Sequence, residues 1–202
     1  PAARTDGGCT AVLVAPDLAL TAAHCARGAV SGPAAMRLIF RPDATPPAFQ
    51  VTVRAVAFHA AYTGPGLTAE NAHTDVALLR LAMPVPGEIA APIPIASGPQ
   101  ADTAAIYGYL NGPATDLRGH PACQVATARP QLLISDCRVV SGFSGAPLLS
   151  GGPGDWRVEG ITVATVFGQP FRAMIADMVP WPGFAGPYGL DAPPSTTPQT
   201  SP

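Results

Sequence analysis

The sequence predicts an all-β fold, because several of its properties agree on short strands separated by tight turns. Glycine and proline, with 21 and 25 copies among 202 residues, interrupt the chain often. Between them lie short apolar runs, some of them alternating, which are typical of strands. Hydrophobic residues make up 48% of the chain, so a real core can form.

The expected strands fall into two halves. The first half, residues 1–88, has strands near 11–15, 18–23, 36–40, 50–58 and 75–82. A proline-rich crossing segment follows between residues 83 and 99, where proline excludes pairing in a central strand. The second half, residues 89–179, includes the end of this crossing segment. It has strands near 104–110, 131–136, 146–149, 156–165 and 171–174, with a short closing helix at 174–178. Residues 180–202 are turn formers and polar residues without a period, which predicts a flexible tail.

Three segments carry the residue types of a nucleophilic site. Leu-Thr-Ala-Ala-His-Cys at 20–25 supplies His24, the run at 74–81 supplies Asp75, and Gly-Phe-Ser-Gly-Ala-Pro at 142–147 supplies Ser144. A serine hydroxyl is a weak nucleophile until a base removes its proton, and the imidazolium that forms needs a carboxylate behind it. Each segment alone is a weak signal, since Asp75 could cap a turn and a lone His is usually structural. Their joint occurrence favours a catalytic triad.

The local sequence places these side chains at strand ends. His24 comes where the run 18–23 ends, and Asp75 opens an apolar run that buries its carboxylate, so that the acid needs a hydrogen-bond partner such as an imidazole N–H. Gly142 and Gly145 flank the serine and permit positive φ and close approach of a substrate.

With His first, Asp second and Ser last, and with these motifs around His24 and Ser144, the chain resembles the trypsin-like, chymotrypsin-fold serine peptidases over about residues 8–178. The resemblance implies two six-stranded antiparallel Greek-key barrels with the active site in the cleft between them. It implies an endopeptidase that works through an acyl-enzyme on Ser144, without a cofactor, on protein or peptide substrates. The backbone N–H groups of Gly142 and Ser144 would form the oxyanion hole.

Four cysteines allow three disulfide pairings, and the resemblance implies Cys9 with Cys25 and Cys123 with Cys137. A metal site is set aside, because the C-x-x-C and H-x-x-x-H spacings are missing. Disulfides indicate an oxidising compartment, so we expect a secreted or periplasmic protein. Because the chain begins with Pro1, we also expect that an export signal or propeptide has been removed.

Two departures from the family's pattern limit the expected specificity. Arg138 stands six residues before the serine, where trypsin-specific members carry an Asp, which disfavours cleavage after Arg or Lys. Phe143 stands where members activated by a new N-terminus carry an Asp, so that ion pair cannot form. These features resemble the bacterial glutamyl-endopeptidase-like branch more than the digestive trypsins. We expect a preference for small, neutral or acidic side chains, in a pocket lined by Arg138, Val139, Thr162, Val163 and Thr165, with Arg138 at its base or turned outward.

Charge and hydropathy limit the classes of partner that we expect. The formal net charge of −2 gives no electrostatic reason to expect nucleic acid or an anionic membrane, and no apolar run reaches the length of a membrane span. We expect a monomer. His59, His73 and His120 lie in predicted loops and are expected to be structural or solvated.

Two alternatives to the endopeptidase remain open on the sequence. One is a catalytically silent module of the same fold that binds a protein or surface, although such members usually lack a triad residue and none is missing here. The other is an esterase that uses the same triad.

Overall fold

The computed structural model of the chain describes residues 2–29, 32–44, 49–97, 100–111, 116–166, 172–178 and 184–185. It contains thirteen strands in these ranges and one helical turn, α1, at Ala23–Ala26. Short 3-10 turns lie at Arg27–Ala29, Pro33–Ala35 and Ala72–Thr74. Within the described ranges, no helix is both long and apolar enough to cross a membrane.

Six strands form the first barrel, and all their pairings are antiparallel. They are β1 (Ala2–Thr5), β2 (Thr10–Ala15), β3 (Leu18–Ala22), β4 (Arg37–Phe40), β5 (Phe49–His59) and β6 (Val76–Leu81). Around the barrel the order is β5-β4-β1-β2-β3-β6, and pairing of β5 with β6 closes it. The first three strands form a meander and the fourth returns to lie beside the first, which is a Greek key.

The second barrel repeats this arrangement. Its strands are β7 (Thr103–Tyr109), β8 (Leu117–Arg129), β9 (Leu132–Ser135), β10 (Pro147–Ser150), β11 (Arg157–Val166) and β12 (Arg172–Asp177). They close in the order β10-β11-β12-β9-β8-β7, so that the fourth strand, β10, again lies beside the first. The expectation of two six-stranded antiparallel Greek-key barrels of the chymotrypsin type is confirmed.

Three strands of the first barrel, β2, β3 and β6, bury both faces, which explains their continuous apolar runs. In β2, Leu13 points into the barrel interior, and Val12 points into an apolar cluster shared by both barrels. The shared cluster also contains Leu20 and Leu78 from the first barrel and Ile161 from the second. Burial on both faces removes the alternation that marks a half-exposed strand.

The predicted closing helix at 174–178 is wrong. Strand β12 occupies Arg172–Asp177 and pairs with β9 and β11, which closes the second barrel. Ala173 and Ile175 point into the interior of the second barrel, whereas Met174 and Ala176 point into the cluster shared by both barrels, a two-residue period that fits a strand and not a helix. Without β12 the second barrel would have two open edges.

The structure adds strands that the sequence did not predict. Strand β1 precedes the first expected strand, and β8 is a thirteen-residue strand that is mostly exposed. Pro121 lies in β8 at an irregularity of the pairing with β7, where a ladder hydrogen bond is not required of it. Within the expected flexible tail 180–202, Phe184–Ala185 form a two-residue strand, β13, paired with β5, so these two residues are not free. The rest of that segment lies outside the described residues.

Candidate active site

His24 and Asp75 meet where two paired strands end. Ala22, the last residue of β3, pairs with Val76, the first of β6, so the residues that follow and precede them are neighbours. The Asp75 carbonyl accepts a hydrogen bond from the Ala23 amide (3.0 Å), and the His24 amide donates to Asp75 Oδ1 (2.8 Å). These backbone contacts fix the carboxylate beside the imidazole.

The imidazole uses its Nδ1 atom to reach the carboxylate. His24 Nδ1 lies 2.7 Å from Asp75 Oδ2, which only accepts hydrogen bonds when ionised, so Nδ1 carries the proton. Asp75 is 1% exposed, whereas His24 is 35% exposed. The proton on Nδ1 leaves Nε2 as the acceptor of this partly exposed ring, which is the tautomer a general base needs.

Tyr62 lies near enough to Asp75 for the carboxylate charge to act on its phenol. Burial, and then the Asp75 charge, raise the pKa of the Tyr62 phenol above its usual 10.0, and Arg27 opposes them. The phenol therefore stays neutral at physiological pH.

Ser144 lies in the tight loop 140–146 that leads into β10. The loop has two glycines at positive φ, Gly142 at 103° and Gly145 at 85°. A Cβ on Gly142 would come within 2.3 Å of backbone atoms of Asn111 and Tyr109, so no larger residue fits without movement. Among the described residues Ser144 makes no hydrogen bond to His24. Such contacts are often long in a free enzyme and tighten when substrate binds.

The amides of the loop divide into two groups. The Phe143 amide donates to the Val140 carbonyl (3.0 Å) and the Gly145 amide to the Thr162 carbonyl (2.7 Å). The amides of Gly142 and Ser144 donate to no other described residue. Two unpaired N–H groups this close in sequence are able to receive a developing oxyanion.

A small cavity of about 80 Å³ lies beside Ser144. Its lining includes three of the residues predicted to form the specificity pocket, Val139, Thr162 and Thr165. Thr162 is 1% exposed, and its Oγ1 atom has no hydrogen-bond partner among the described residues. The described lining thus contains both apolar side chains and hydroxyl groups, and among the latter the Thr162 hydroxyl is buried.

The other two predicted pocket residues lie outside the described lining of this cavity. Val163 follows Thr162 on β11 and points to the opposite face, into the cluster shared by the barrels. Arg138 is exposed, and its carbonyl oxygen lies 2.9 Å from His120 Nε2. Of the two orientations expected for Arg138, its exposure fits the outward one. The sequence reasoning missed Ala164, which lies two residues after Thr162 on β11 and therefore faces the cavity from the same side of the strand.

A larger cavity, of about 680 Å³, lies elsewhere between the barrels, and its described lining contains none of the residues His24, Asp75 and Ser144. Its size alone would suggest an active site, but its described lining lacks the hydrogen-bonded carboxylate and imidazole that activate a serine nucleophile.

Both disulfides have the pairing that the resemblance implies. Cys9 joins Cys25, with 6.3 Å between their Cα atoms, and Cys123 joins Cys137, with 5.4 Å. The first lies directly beside His24, and the donor atoms of Cys9, His24 and Cys25 fall within 4.8 Å of one another. Sulfurs in a disulfide are not thiolate ligands, so this cluster does not fit a metal ion.

The prediction that the other three histidines lie in loops is wrong for two of them: His59 ends β5 and His120 lies in β8, whereas His73 lies in the 3-10 turn at Ala72–Thr74. His59 accepts a hydrogen bond from the Ala61 amide at Nδ1 (3.1 Å), and its ring meets that of His73 edge-on at 6.1 Å. Burial, and then the nearby His73, lower the pKa of His59 below its usual 6.5.

A family model described as the trypsin-like peptidase domain matches residues 9–161, about three quarters of the chain. The match includes His24, Asp75, Ser144 and all four cysteines. A search of curated proteins finds no match. The two barrels and the family match agree, and the chain belongs to the family of trypsin-like peptidase domains.

Proposed function

We propose that the protein is a serine endopeptidase with His24 as general base, Asp75 as its orienting carboxylate and Ser144 as nucleophile. The observation that carries the proposal is the 2.7 Å contact between His24 Nδ1 and the buried Asp75 carboxylate, which leaves Nε2 free to accept a proton. Membership in a peptidase family supports it.

The reaction has two halves. Ser144 Oγ attacks the scissile carbonyl carbon while His24 Nε2 takes the hydroxyl proton, and the same proton passes to the leaving amine as the peptide bond breaks. The acyl group is then held as an ester on Ser144. Water attacks this ester, His24 accepts a proton from it, and the carboxylic acid product departs as the proton returns to Ser144.

The oxyanion formed in each half would be held by the amides of Gly142 and Ser144. Each unpaired N–H aimed at the developing charge contributes roughly 3 to 4 kcal/mol to the transition state. Neither amide has to give up a hydrogen bond to another described residue.

We propose that the enzyme prefers a small P1 side chain, the residue whose carbonyl is attacked. The cavity beside Ser144 holds about 80 Å³, and one water occupies about 30 Å³ of liquid, so roughly three heavy atoms fill it. Its described lining contains no carboxylate to receive Arg or Lys. The unpartnered Thr162 hydroxyl is able to hydrogen-bond a small polar side chain.

Profiling cleavage of a peptide library tests this specificity. We expect Ala, Ser, Thr or Val at P1, with a small acidic side chain next in preference. Cleavage confined to Arg and Lys would contradict the proposal.

The activity itself is tested with a fluorophosphonate probe on the folded, oxidised protein. We expect labelling of the wild type and of Ser97→Ala, an exposed serine in the crossing segment, and none of Ser144→Ala. A wild type that does not react would leave the catalytically silent binding module. Hydrolysis of ester substrates alone, with peptides untouched, would identify an esterase.

We further propose that the enzyme is a monomer and that it acts outside the reducing cytosol. Two disulfides within one small domain form and persist in an oxidising compartment. Fractionation of the producing cells, with detection of the oxidised protein, tests this location.

A further inference from the structure

Most carbonyls of the loop 140–146, which carries Ser144, are held by a donor. Backbone amides hold five of them, including those nearest to Gly142: Asn111 N donates to Ser141 O (3.0 Å), Ala146 N to Phe143 O (2.8 Å) and Thr10 N to Ser144 O (2.9 Å). The carbonyl of Gly142 is the exception, because it accepts from a side chain, the hydroxyl of Thr10, at 2.8 Å.

The Thr10 hydroxyl has a fixed direction. The amide of Tyr109 donates to Thr10 Oγ1 at 2.9 Å and occupies a lone pair, so the single hydroxyl proton is directed to Gly142 O. The Thr10 carbonyl in turn accepts from the Thr21 hydroxyl at 2.7 Å. Thr10 is fully buried, so water does not compete for these bonds.

Thr10 links the two barrels at the site. It is the first residue of β2 in the first barrel, whereas Gly142 and Tyr109 belong to the second. Cys9, next to Thr10, is joined to Cys25, next to His24. The threonine is therefore connected to the elements that carry the base, and it contacts the loop that carries the nucleophile.

The hydrogen bond from the Thr10 hydroxyl restrains the part of the loop whose backbone rotates most easily. Gly142 has φ of 103°, a region that glycine leaves easily, and its carbonyl belongs to the peptide that lies between the two candidate oxyanion donors. A rotation about ψ of Gly142 that is not compensated at Phe143 would turn the Ser144 amide away from the direction of the Gly142 amide. Phe143 is an apolar side chain that offers no ion pair to prevent the rotation.

We propose that Thr10 is a positioning residue, whose hydroxyl holds the Gly142–Ser144 segment in the conformation that binds the oxyanion. This inference rests on the proposed peptidase function. Its effect on the loop can nevertheless be measured without turnover.

Three variants separate the hydroxyl from the rest of the side chain. Thr10→Val keeps the shape and the backbone amide but removes the hydroxyl, and Thr10→Ser keeps the hydroxyl. Thr5→Val is the matched control, because Thr5 is a buried threonine whose hydroxyl accepts one backbone hydrogen bond, from Cys9, and does not contact the loop. If Thr10→Val does not fold, Thr10→Ala takes its place with the same expectations.

Kinetics and hydrogen exchange are the two readouts. We expect Thr10→Val to lower kcat by about 100-fold with KM changed by less than about threefold, and Thr10→Ser and Thr5→Val to stay close to the wild type. Amide exchange of Phe143 and Gly145, followed by mass spectrometry, should become about tenfold faster in Thr10→Val only.

Each outcome decides the proposal. Equal kcat, or unchanged exchange of the loop amides, in folded Thr10→Val would overturn it, as would an equal loss in Thr5→Val. A wild type without turnover would refute the proposed function, and the exchange measurement would still decide whether Thr10 orders the loop.

Discussion

Replacing Asp75 with asparagine tests the geometry of the base most sharply. The carboxylate has two oxygens with different duties: Oδ1 accepts from the His24 amide at 2.8 Å and Oδ2 faces His24 Nδ1 at 2.7 Å. An NH₂ group at the Oδ1 position would face another donor, so the asparagine of the variant keeps its oxygen there. Its NH₂ group then faces the ring.

This orientation reverses the tautomer of His24. With a donor facing it, Nδ1 must accept, the ring proton moves to Nε2, and Nε2 can no longer take the proton of Ser144. A triad with the wrong tautomer loses about 10⁴ in kcat, which corresponds to about 5.5 kcal/mol of transition-state stabilisation. The fold should survive, because the backbone hydrogen bond at Oδ1 is kept.

The assay combines kcat on a small-P1 peptide substrate with ¹⁵N NMR of the His24 ring. Asp136→Asn is the matched control, since this exposed carboxylate also accepts one backbone hydrogen bond, from the Gln124 amide at 2.8 Å, and we expect it to leave kcat unchanged. A folded Asp75→Asn variant with kcat within about tenfold of the wild type, or with the proton still on Nδ1, would refute the reasoning.

Three other substitutions have defined outcomes. Gly142→Ala places a Cβ 2.3 Å from neighbouring backbone at φ of 103°, so denaturation should show a loss of about 1–3 kcal/mol, with a fall in kcat; an unchanged variant would contradict the geometry. Burial, and then the charge of Asp177, raise the pKa of Glu159 above its usual 4.5, so the stability contributed by its protonated form is full below that value and is lost as the pH rises through the folded-state pKa. Glu159→Gln should therefore be more stable than the wild type at pH 8 and not at pH 4 in urea denaturation, and equal differences at both would refute it. Replacing Cys123 and Cys137 by serine opens a loop with a sequence separation of 14 and should cost about 3 kcal/mol in the same assay, whereas a loss below about 1 kcal/mol would show that the loop is ordered without its disulfide.

The sequence predicted the parts of the molecule that depend on short, local patterns. The segments around His24, Asp75 and Ser144 combine strand ends, glycines and reactive side chains within a few residues, so they are visible without the fold. The apolar runs of the first barrel are similarly clear, because strands buried on both faces leave continuous Val and Leu.

What escaped prediction depends on partners that are distant in the chain. Strand β8 is mostly exposed and contains Pro121, so its own residues do not indicate a strand, and it exists because β7 and β9 pair with it. The segment 174–178 looked helical because Met, Ile and Ala tolerate both states, and barrel closure decided it. Thr10 gave no signal, since its two hydroxyl partners lie 99 and 132 residues away.

Each barrel is built from one continuous stretch of the chain, and this has a consequence for assembly. All pairings of the first barrel lie within residues 2–81 and all pairings of the second within 103–177, so a cut in the connecting segment would break no strand pairing of either barrel. His24 and Asp75 belong to one barrel and Ser144 to the other. Separately produced halves that regain turnover on mixing would therefore report docking directly, which makes catalysis a sensor of how well the two halves recognise each other.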